Sequence, residues 1–302
     1  MTAPVLIDGG TATELERAGV PVEAPLWSAA ALLAEEPRRV LRSIHASFLG
    51  AGAHVVTANT FRCNARAAQA AGLDRAGAAW LVHAAIGVAT AARMDVGTPA
   101  AIAGSMAPIE DCYRPDLVPP DDQLRAEHGW LAKELVRSGV DLVLIETMNA
   151  RREASIALEA ALAAGGRAWV SFVCGADARL LSGEPLAQTA GALAAEGAEL
   201  VLVNCSGLAE TEACLRELRE ACDGRIGAYP NLEDRSGPDL RRPLPVAVSP
   251  EGFADTLERW HEELDLAVLG GCCGTTPAHV AALAERLSPG DPLSRLPAAA
   301  RS

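Results

Sequence analysis

The segment Gly270-Gly271-Cys272-Cys273-Gly274-Thr275-Thr276-Pro277 follows the apolar run Leu266-Ala267-Val268-Leu269 and opens into a helical pattern. Neighbouring residues on a regular strand point to opposite faces. Two adjacent thiols therefore converge on one ion only where the strand has ended and glycines let the backbone bend. The glycines on both sides predict such a strand end with a turn. Two plainer readings stay open: buried cysteines packed as small hydrophobes, or a vicinal disulfide. A metal reading needs a third ligand from elsewhere.

Working outward, short apolar runs alternate with helical patterns along nearly the whole chain. The first run is Pro4 to Asp8, with a helical stretch from about Glu35 to Leu49. His54 to Thr60 follows, then a long Ala-rich helical region to about Met94. Ala100 to Ser105 is paired with a helix from Asp122 to Arg137, and Asp141 to Thr147 with Arg151 to Ala164. Ala168 to Cys174 precedes Leu186 to Glu196, and Leu200 to Cys205 precedes Glu210 to Ala221. Arg225 to Asn231 leads to a helix near Pro250 to His261, and the eighth run ends at Cys272-Cys273 before Pro277 to Leu287.

Strands alternating with helices mean a parallel sheet. Eight units in 302 residues match a single (β/α)8 TIM barrel spanning 1–287. A doubly wound sheet competes, but Gly9-Gly10 lacks the G-x-G-x-x-G spacing of its phosphate loop. The segment 288–302, rich in Pro, Ala and Arg, is expected to be a loose tail.

Composition narrows the function classes. The chain is 50% apolar, enough for a large core, with a net charge of −13 and no basic stripe, which argues against nucleic acid. Apolar runs are short and interrupted, which argues against a membrane span. The first residues show no basic region ahead of an apolar one, so no signal peptide is expected. Eight cysteines in that setting predict a cytoplasmic protein whose thiols bind metal or do chemistry.

In a barrel, the carboxyl ends of the strands carry the site. Reading those ends gives Asp8, Thr57 and Asn59, Ser105, Glu146, Cys174, Asn204 and Cys205, Asn231, and Cys272-Cys273. Polar residues end strands anyway, but cysteine is more often a core residue. Cys205, two strands before the Cys272-Cys273 pair, supplies the third thiolate. Three protein ligands with an open fourth position is the arrangement of a catalytic zinc. Cys174 and Cys63 also follow strand runs and compete as ligands; packing is the preferred reading for both. Cys112, Cys214 and Cys222 read as structural, and no histidine ligand is expected because no histidine ends a strand run.

Asp8 to Glu16, Thr57-Ala58-Asn59-Thr60-Phe61, Glu146-Thr147, Asn204-Cys205 and Gly270 to Pro277 together resemble the zinc-dependent homocysteine S-methyltransferases. The resemblance runs from Val5 to about Leu287. It implies a (β/α)8 barrel with zinc on Cys205, Cys272 and Cys273, and with Asp8 and Glu146 holding the amino group of homocysteine. Pro25-Leu26-Trp27-Ser28 and Tyr229-Pro230-Asn231 look most like the S-methylmethionine-dependent branch. Leu232-Glu233-Asp234 and the loop from Met106 to Pro120 depart from that branch.

The resulting expectation is methyl transfer from a sulfonium, S-methylmethionine before S-adenosylmethionine, to the thiol of homocysteine. Asn59, Ser105, Asn204 and Trp27 are the further candidate substrate-binding residues. Trp27 and Tyr113 offer faces to a cation, with Glu110, Asp111, Glu233 and Asp234 as nearby negative charge. A betaine donor would need a basic partner, for which Arg62 and Arg114 are the candidates. The alternatives are a thiol methyltransferase using a corrinoid protein, betaine or another donor, and a non-enzymatic zinc or redox sensor.

Overall fold

The structure, a computed structural model, describes residues 3–221, 224–233 and 248–287. The expected tail at 288–302, Cys222 and Asp234 lie outside the described residues. Eight strands form one sheet: β1 (Val5–Leu6), β2 (Val55–Ala58), β3 (Ala101–Met106), β4 (Leu142–Met148), β5 (Ala168–Phe172), β6 (Leu200–Asn204), β7 (Ile226–Tyr229) and β8 (Val268–Leu269). All neighbouring pairs are parallel, in the order β1-β8-β7-β6-β5-β4-β3-β2. A bridge between Ile7 and Val55, with Asp8 N–H donating to Val55 O at 3.0 Å, closes the sheet into a barrel. The expected TIM barrel is the observed fold.

The strands read as continuous apolar runs because both faces are covered. Their outward residues, such as Val56, Ile102, Val143, Ile145, Val170, Val201 and Ala228, join the large cluster under the helices. Their inward residues, including Val5, Ile7, Val55, Ala101, Ala103, Leu142, Leu144, Trp169, Leu200 and Leu202, fill the barrel. The period of two then carries the inward series onto Thr57, Ser105, Glu146, Ser171, Asn204 and Tyr229. These polar groups are the next layer up, at the carboxyl end.

The helices are α1 (Thr11–Arg17), α2 (Glu35–Gly50), α3 (Ala65–Ala70), α4 (Arg75–Val96), α5 (Asp121–Arg137), α6 (Arg151–Ala163), α7 (Leu186–Glu196), α8 (Leu208–Ala221), α9 (Pro250–Leu264) and α10 (Pro277–Arg286). Seven of these match expected helices to within a few residues. The Ala-rich region expected as one helix is two, α3 and α4. Gly72 turns the chain in the left-handed region, and the Asp74 side chain accepts from Gly77 N–H at 2.8 Å to start α4. The short α1 was not expected; seven residues after two glycines give too little periodicity to detect. Several strands are shorter than expected. β8 stops at Leu269, β6 at Asn204 and β5 at Phe172, so all the candidate cysteines lie in loops just past strand ends. No helix among the described residues is long and apolar enough to cross a membrane.

Candidate functional site

Cys205, Cys272 and Cys273 form the one group of potential metal-ligand side chains found among the described residues, with their sulfurs all within 4.8 Å of one another. Cys205 Sγ and Cys272 Sγ are 3.0 Å apart. Sulfurs held about 2.3 Å from a tetrahedral ion stand about 3.8 Å from each other. The Cys205–Cys272 separation is shorter than that, so these two sulfurs would part slightly to seat an ion. The Cys205 thiol is pushed well up, first by hydrogen bonds to Cys272 and Cys273 and then by burial. Three thiolates crowded in a desolvated cup repel one another and need a cation to coexist. The donor set therefore fits a metal ion.

The backbone that delivers these sulfurs is held at several points. Gly270 N–H donates to Ala228 O at 3.1 Å, Gly271 N–H to Asp8 O at 3.1 Å, and Cys272 N–H to Pro230 O at 2.9 Å. The Asn231 side chain accepts from Cys273 N–H at 3.0 Å, while Asn231 N–H donates to Ser206 O at 2.8 Å. Thr275 Oγ1 donates to Cys272 O at 2.6 Å and accepts from Gly10 N–H at 3.1 Å. A Cβ on Gly271 would sit 2.3 Å from the Thr275 side chain, and one on Gly270 would sit 2.4 Å from Ile7. These two glycines are needed for close approach as well as for bending.

Cys205 itself has φ 50° and Thr147 has φ 58°. Such a backbone is uncommon for non-glycine residues and a genuine outlier for a β-branched one. The two strained residues touch: Thr147 Oγ1 lies 3.5 Å from Cys205 Sγ. Asn204 locks both in place. Its Nδ2 donates to Thr147 Oγ1 at 2.8 Å, and its Oδ1 accepts from Thr147 N–H at 3.1 Å and from Ser171. Strain concentrated where a network over-determines it is characteristic of functional sites.

Beside the sulfurs lie two buried carboxyls. Burial pushes Asp8 up to about 7, against hydrogen bonds from the amide and hydroxyl of Thr57, both at 2.8 Å. Burial also pushes Glu146 up to about 7; a hydrogen bond from Ser105 opposes this, and the Asp8 charge adds to it. Tyr229 OH donates to the other Glu146 oxygen at 3.3 Å. A cation between these groups would bring both into the ionised form.

The other expected residues fall into place unequally. Ser105 bonds Glu146. Asn59 is buried and turned to Ser28, whose hydroxyl donates to Asn59 Oδ1 at 2.6 Å and whose carbonyl accepts from Asn59 Nδ2 at 2.8 Å. The amides of Asn59 and Asn204 thus serve other protein groups. Trp27 is half-buried beside that pair, at φ 49°.

Arg17 reaches Glu233 and Gly274 O, both at 3.1 Å, and Arg66 pairs with Glu110, so these two acids already have protein cations. Arg62 donates from one guanidinium nitrogen to the carbonyls of Pro108 and Glu110, and Arg114 pairs through both arms of its fork with Asp116, at 2.8 and 2.6 Å. Cys63 is buried, with its thiol toward Asn59 O at 3.6 Å, and Cys174 is hydrogen-bonded to Cys214.

The chain reading missed Thr147, Ser171 and Tyr229 as members of the site. Cys112, expected to be structural, is a buried free cysteine in the loop after β3. Burial pushes that thiol up to about 12, with the Arg62 charge opposing and the charges of Asp111 and Cys273 adding. Tyr113 was noted only as a ring face; its OH reaches Cys205 O at 3.4 Å. Period-two extrapolation along β4, β5 and β7 would have found Ser171 and Tyr229. Nothing in the sequence signals a left-handed Thr147.

The profile of homocysteine S-methyltransferases matches residues 5–287. This chain belongs to the homocysteine S-methyltransferase family. It is an enzyme that transfers a methyl group to homocysteine. The Escherichia coli homocysteine S-methyltransferase is 30% identical over 93% of this chain and 94% of its own length. Homocysteine S-methyltransferase YbgG of Bacillus subtilis is 27% identical over 93% of each. Among solved structures, the metallated form of the Escherichia coli homocysteine methyltransferase MmuM superposes with a TM-score of 0.80 at 28% identity, covering 94% of this chain and 96% of that one. The apo form of the same protein gives 0.72. The oxidized form gives 0.80 as well.

Proposed function

We propose that this methyltransferase binds zinc through Cys205, Cys272 and Cys273 and methylates homocysteine from a small sulfonium donor, S-methylmethionine before S-adenosylmethionine. The observation that carries the reading is the convergence of three sulfurs, from two strand ends, within 4.8 Å. An all-sulfur donor set suits zinc, and three protein ligands leave a fourth position for the substrate sulfur. When bound, the ion would lower the pKa of the substrate thiol and hold its sulfur as a thiolate.

The protein's part is orientation. Glu146 and Asp8 would receive the substrate ammonium, and the bonds from Ser105, Tyr229 and Thr57 fix where those carboxylates point. The substrate thiolate then attacks the methyl carbon in line. The bond from that carbon to the donor sulfur breaks, and its electron pair leaves with a neutral thioether. Alignment in a dry pocket supplies much of the acceleration. A cationic donor suits a centre that carries excess thiolate charge, and Trp27 and Tyr113 border its approach with aromatic faces. The Arg114 fork, already paired with Asp116, counts against betaine, whose carboxylate would need such a partner. Residues 1–287 are read as one catalytic barrel, working in the reducing cytoplasm.

The test is methionine formation by the purified enzyme with homocysteine and each donor at equal concentration, without corrinoid. Turnover with S-methylmethionine exceeding that with S-adenosylmethionine is expected. Turnover with betaine alone would overturn the donor, and turnover only with added methylcobalamin would move the enzyme to the corrinoid class. Zinc at about one per chain is expected by metal analysis; an active enzyme without zinc would overturn the cofactor.

A further inference from the structure

We propose that Tyr113 is a size filter for the methyl donor, held rigidly across the barrel mouth by a loop whose backbone is tied down by side chains. The inference rests on the sulfonium reading above and adds a specificity-determining residue to it.

The loop after β3 lacks regular structure from Ala107 to Arg114. Loops of this kind are ordinarily mobile. Here the backbone polar groups are held by side chains from three other elements. Arg62 donates to Pro108 O at 3.3 Å and to Glu110 O at 2.7 Å. Asn64 donates to Ile109 O at 3.3 Å, and Glu153 on α6 accepts from Ile109 N–H at 2.8 Å. Asn149, just after β4, donates to Cys112 O at 3.0 Å and Asp111 O at 3.4 Å. Tyr113 N–H then donates to Asp111 Oδ1 at 2.9 Å. Below, Ile109 packs on Leu124 and Ile156, and the Glu153 carboxylate is itself met by His128 at 3.1 Å. A segment held at this many points moves little on its own.

The Tyr113 side chain leaves this platform toward the site. It is half-buried, and its hydroxyl donates to the carbonyl of Cys205 at 3.4 Å, so the ring spans from the loop after β3 to the loop after β6. The metal-ligand sulfurs lie at the end of that span, since Cys205 is one of them. A donor must come down past this ring to put its methyl carbon in line with the substrate sulfur. A ring fixed at both ends leaves a passage of set width. A sulfonium with slender amino-acid and methyl arms passes; one carrying an adenosyl group is hindered. Tyr113→Phe frees the far end of the bridge, and Tyr113→Ala removes the obstruction.

Two readouts test this. The first is the ratio of kcat/KM for S-methylmethionine to that for S-adenosylmethionine. It should fall about tenfold in Tyr113→Ala and less in Tyr113→Phe, the scale of a lost steric contact in a pocket. Homocysteine KM and zinc content should stay at wild-type values. The second uses no donor: alkylation of Cys205, Cys272 and Cys273 in the purified enzyme by iodoacetamide and by a fluorescein iodoacetamide, located by mass spectrometry. The bulky-to-small rate ratio should rise in Tyr113→Ala. If wild type uses neither sulfonium, the donor reading fails while the alkylation ratio still decides the filter. An alkylation ratio unchanged in both variants overturns the filter, as does an unchanged donor ratio in an enzyme that uses both sulfoniums.

Discussion

The two ends of the barrel are made by the same strands and obey opposite rules. At the amino end, inward positions carry Val5, Val55, Ala101, Leu142 and Leu200, buried in the apolar cluster inside the barrel. Two to four residues further along the same strands, the inward positions become Thr57, Ser105, Glu146 and Asn204, each engaged in hydrogen bonds. The lower layer gains from burying apolar surface and requires no particular partner. The upper layer holds carboxyls and thiols that burial penalises, together with two residues in left-handed conformation. The difference teaches a division of labour: one end supplies free energy of folding, and the other spends part of it to keep reactive groups dry and oriented.

This division can be broken by variants that fail at one end alone. The largest effect is expected from Cys205→Ala, Cys272→Ala and Cys273→Ala. Each should lose metal and drop methyl transfer to background. Urea denaturation should show stability within about 1 kcal/mol of the metal-free parent, because the lower layer is untouched. Full metal retention in all three would end the assignment.

Leu142→Ala at the lower end should do the converse. A cavity in the barrel interior should cost about 2–5 kcal/mol in stability. The folded fraction should keep its homocysteine KM. A comparable rise in KM would mean that the two ends are not separable.

Glu146→Gln removes a charge with little change of shape. Loss of a charge-assisted contact to the ammonium is worth about 1.5–3 kcal/mol, roughly ten- to a hundredfold in homocysteine KM. Metal content should be unchanged. A wild-type KM would remove Glu146 from substrate recognition.

The smallest effect sharpens the comparison through pH. Asp8 and Glu146 hold their protons up to about 7, far above their ordinary 3.8 and 4.5. The folded metal-free chain therefore binds more protons than the unfolded chain over that interval, so these groups lower stability as pH rises from about 4 to 7. His54, at the amino end of β2, is lowered from 6.5 to about 4 by burial, and its Nδ1 accepts from Leu6 N–H at 2.9 Å. An imidazole that must accept is neutral, so its contribution is lost as pH falls from 6.5 toward 4. The two ends thus oppose each other. The double variant Asp8→Asn, Glu146→Gln should show stability rising with pH across this range, and His54→Gln should show it falling more steeply than wild type. Denaturation of metal-free protein at pH 4.5 and 7 distinguishes the signs; parallel slopes in all three proteins would refute the assignment of the groups.

Much of the fold was legible because parallel strands covered on both faces are short unbroken apolar runs, and seven of the helices carried clear periodicity. The cysteine cluster was legible for a different reason: its ligands sit just past strand ends, where the barrel rule places a site. What escaped depended on three-dimensional partners. Thr147 became important through its left-handed backbone and the side chain of Asn204, and neither shows in a local pattern. The partner of Asn59 is equally non-local: the hydroxyl and carbonyl of Ser28 meet the two ends of its amide.

The seam where the barrel closes has a consequence for how the protein is made. β1 pairs with β8, and the loops after these strands are interlocked through Gly271 N–H to Asp8 O and Gly10 N–H to Thr275. One sulfur ligand emerges at position 205, and the other two only at 272 and 273. A nascent chain on the ribosome can therefore assemble most of its strands and still lack a place for the ion. The three sulfurs can come together only once the loop after the last strand has been made, so this cluster is among the last features the chain can complete.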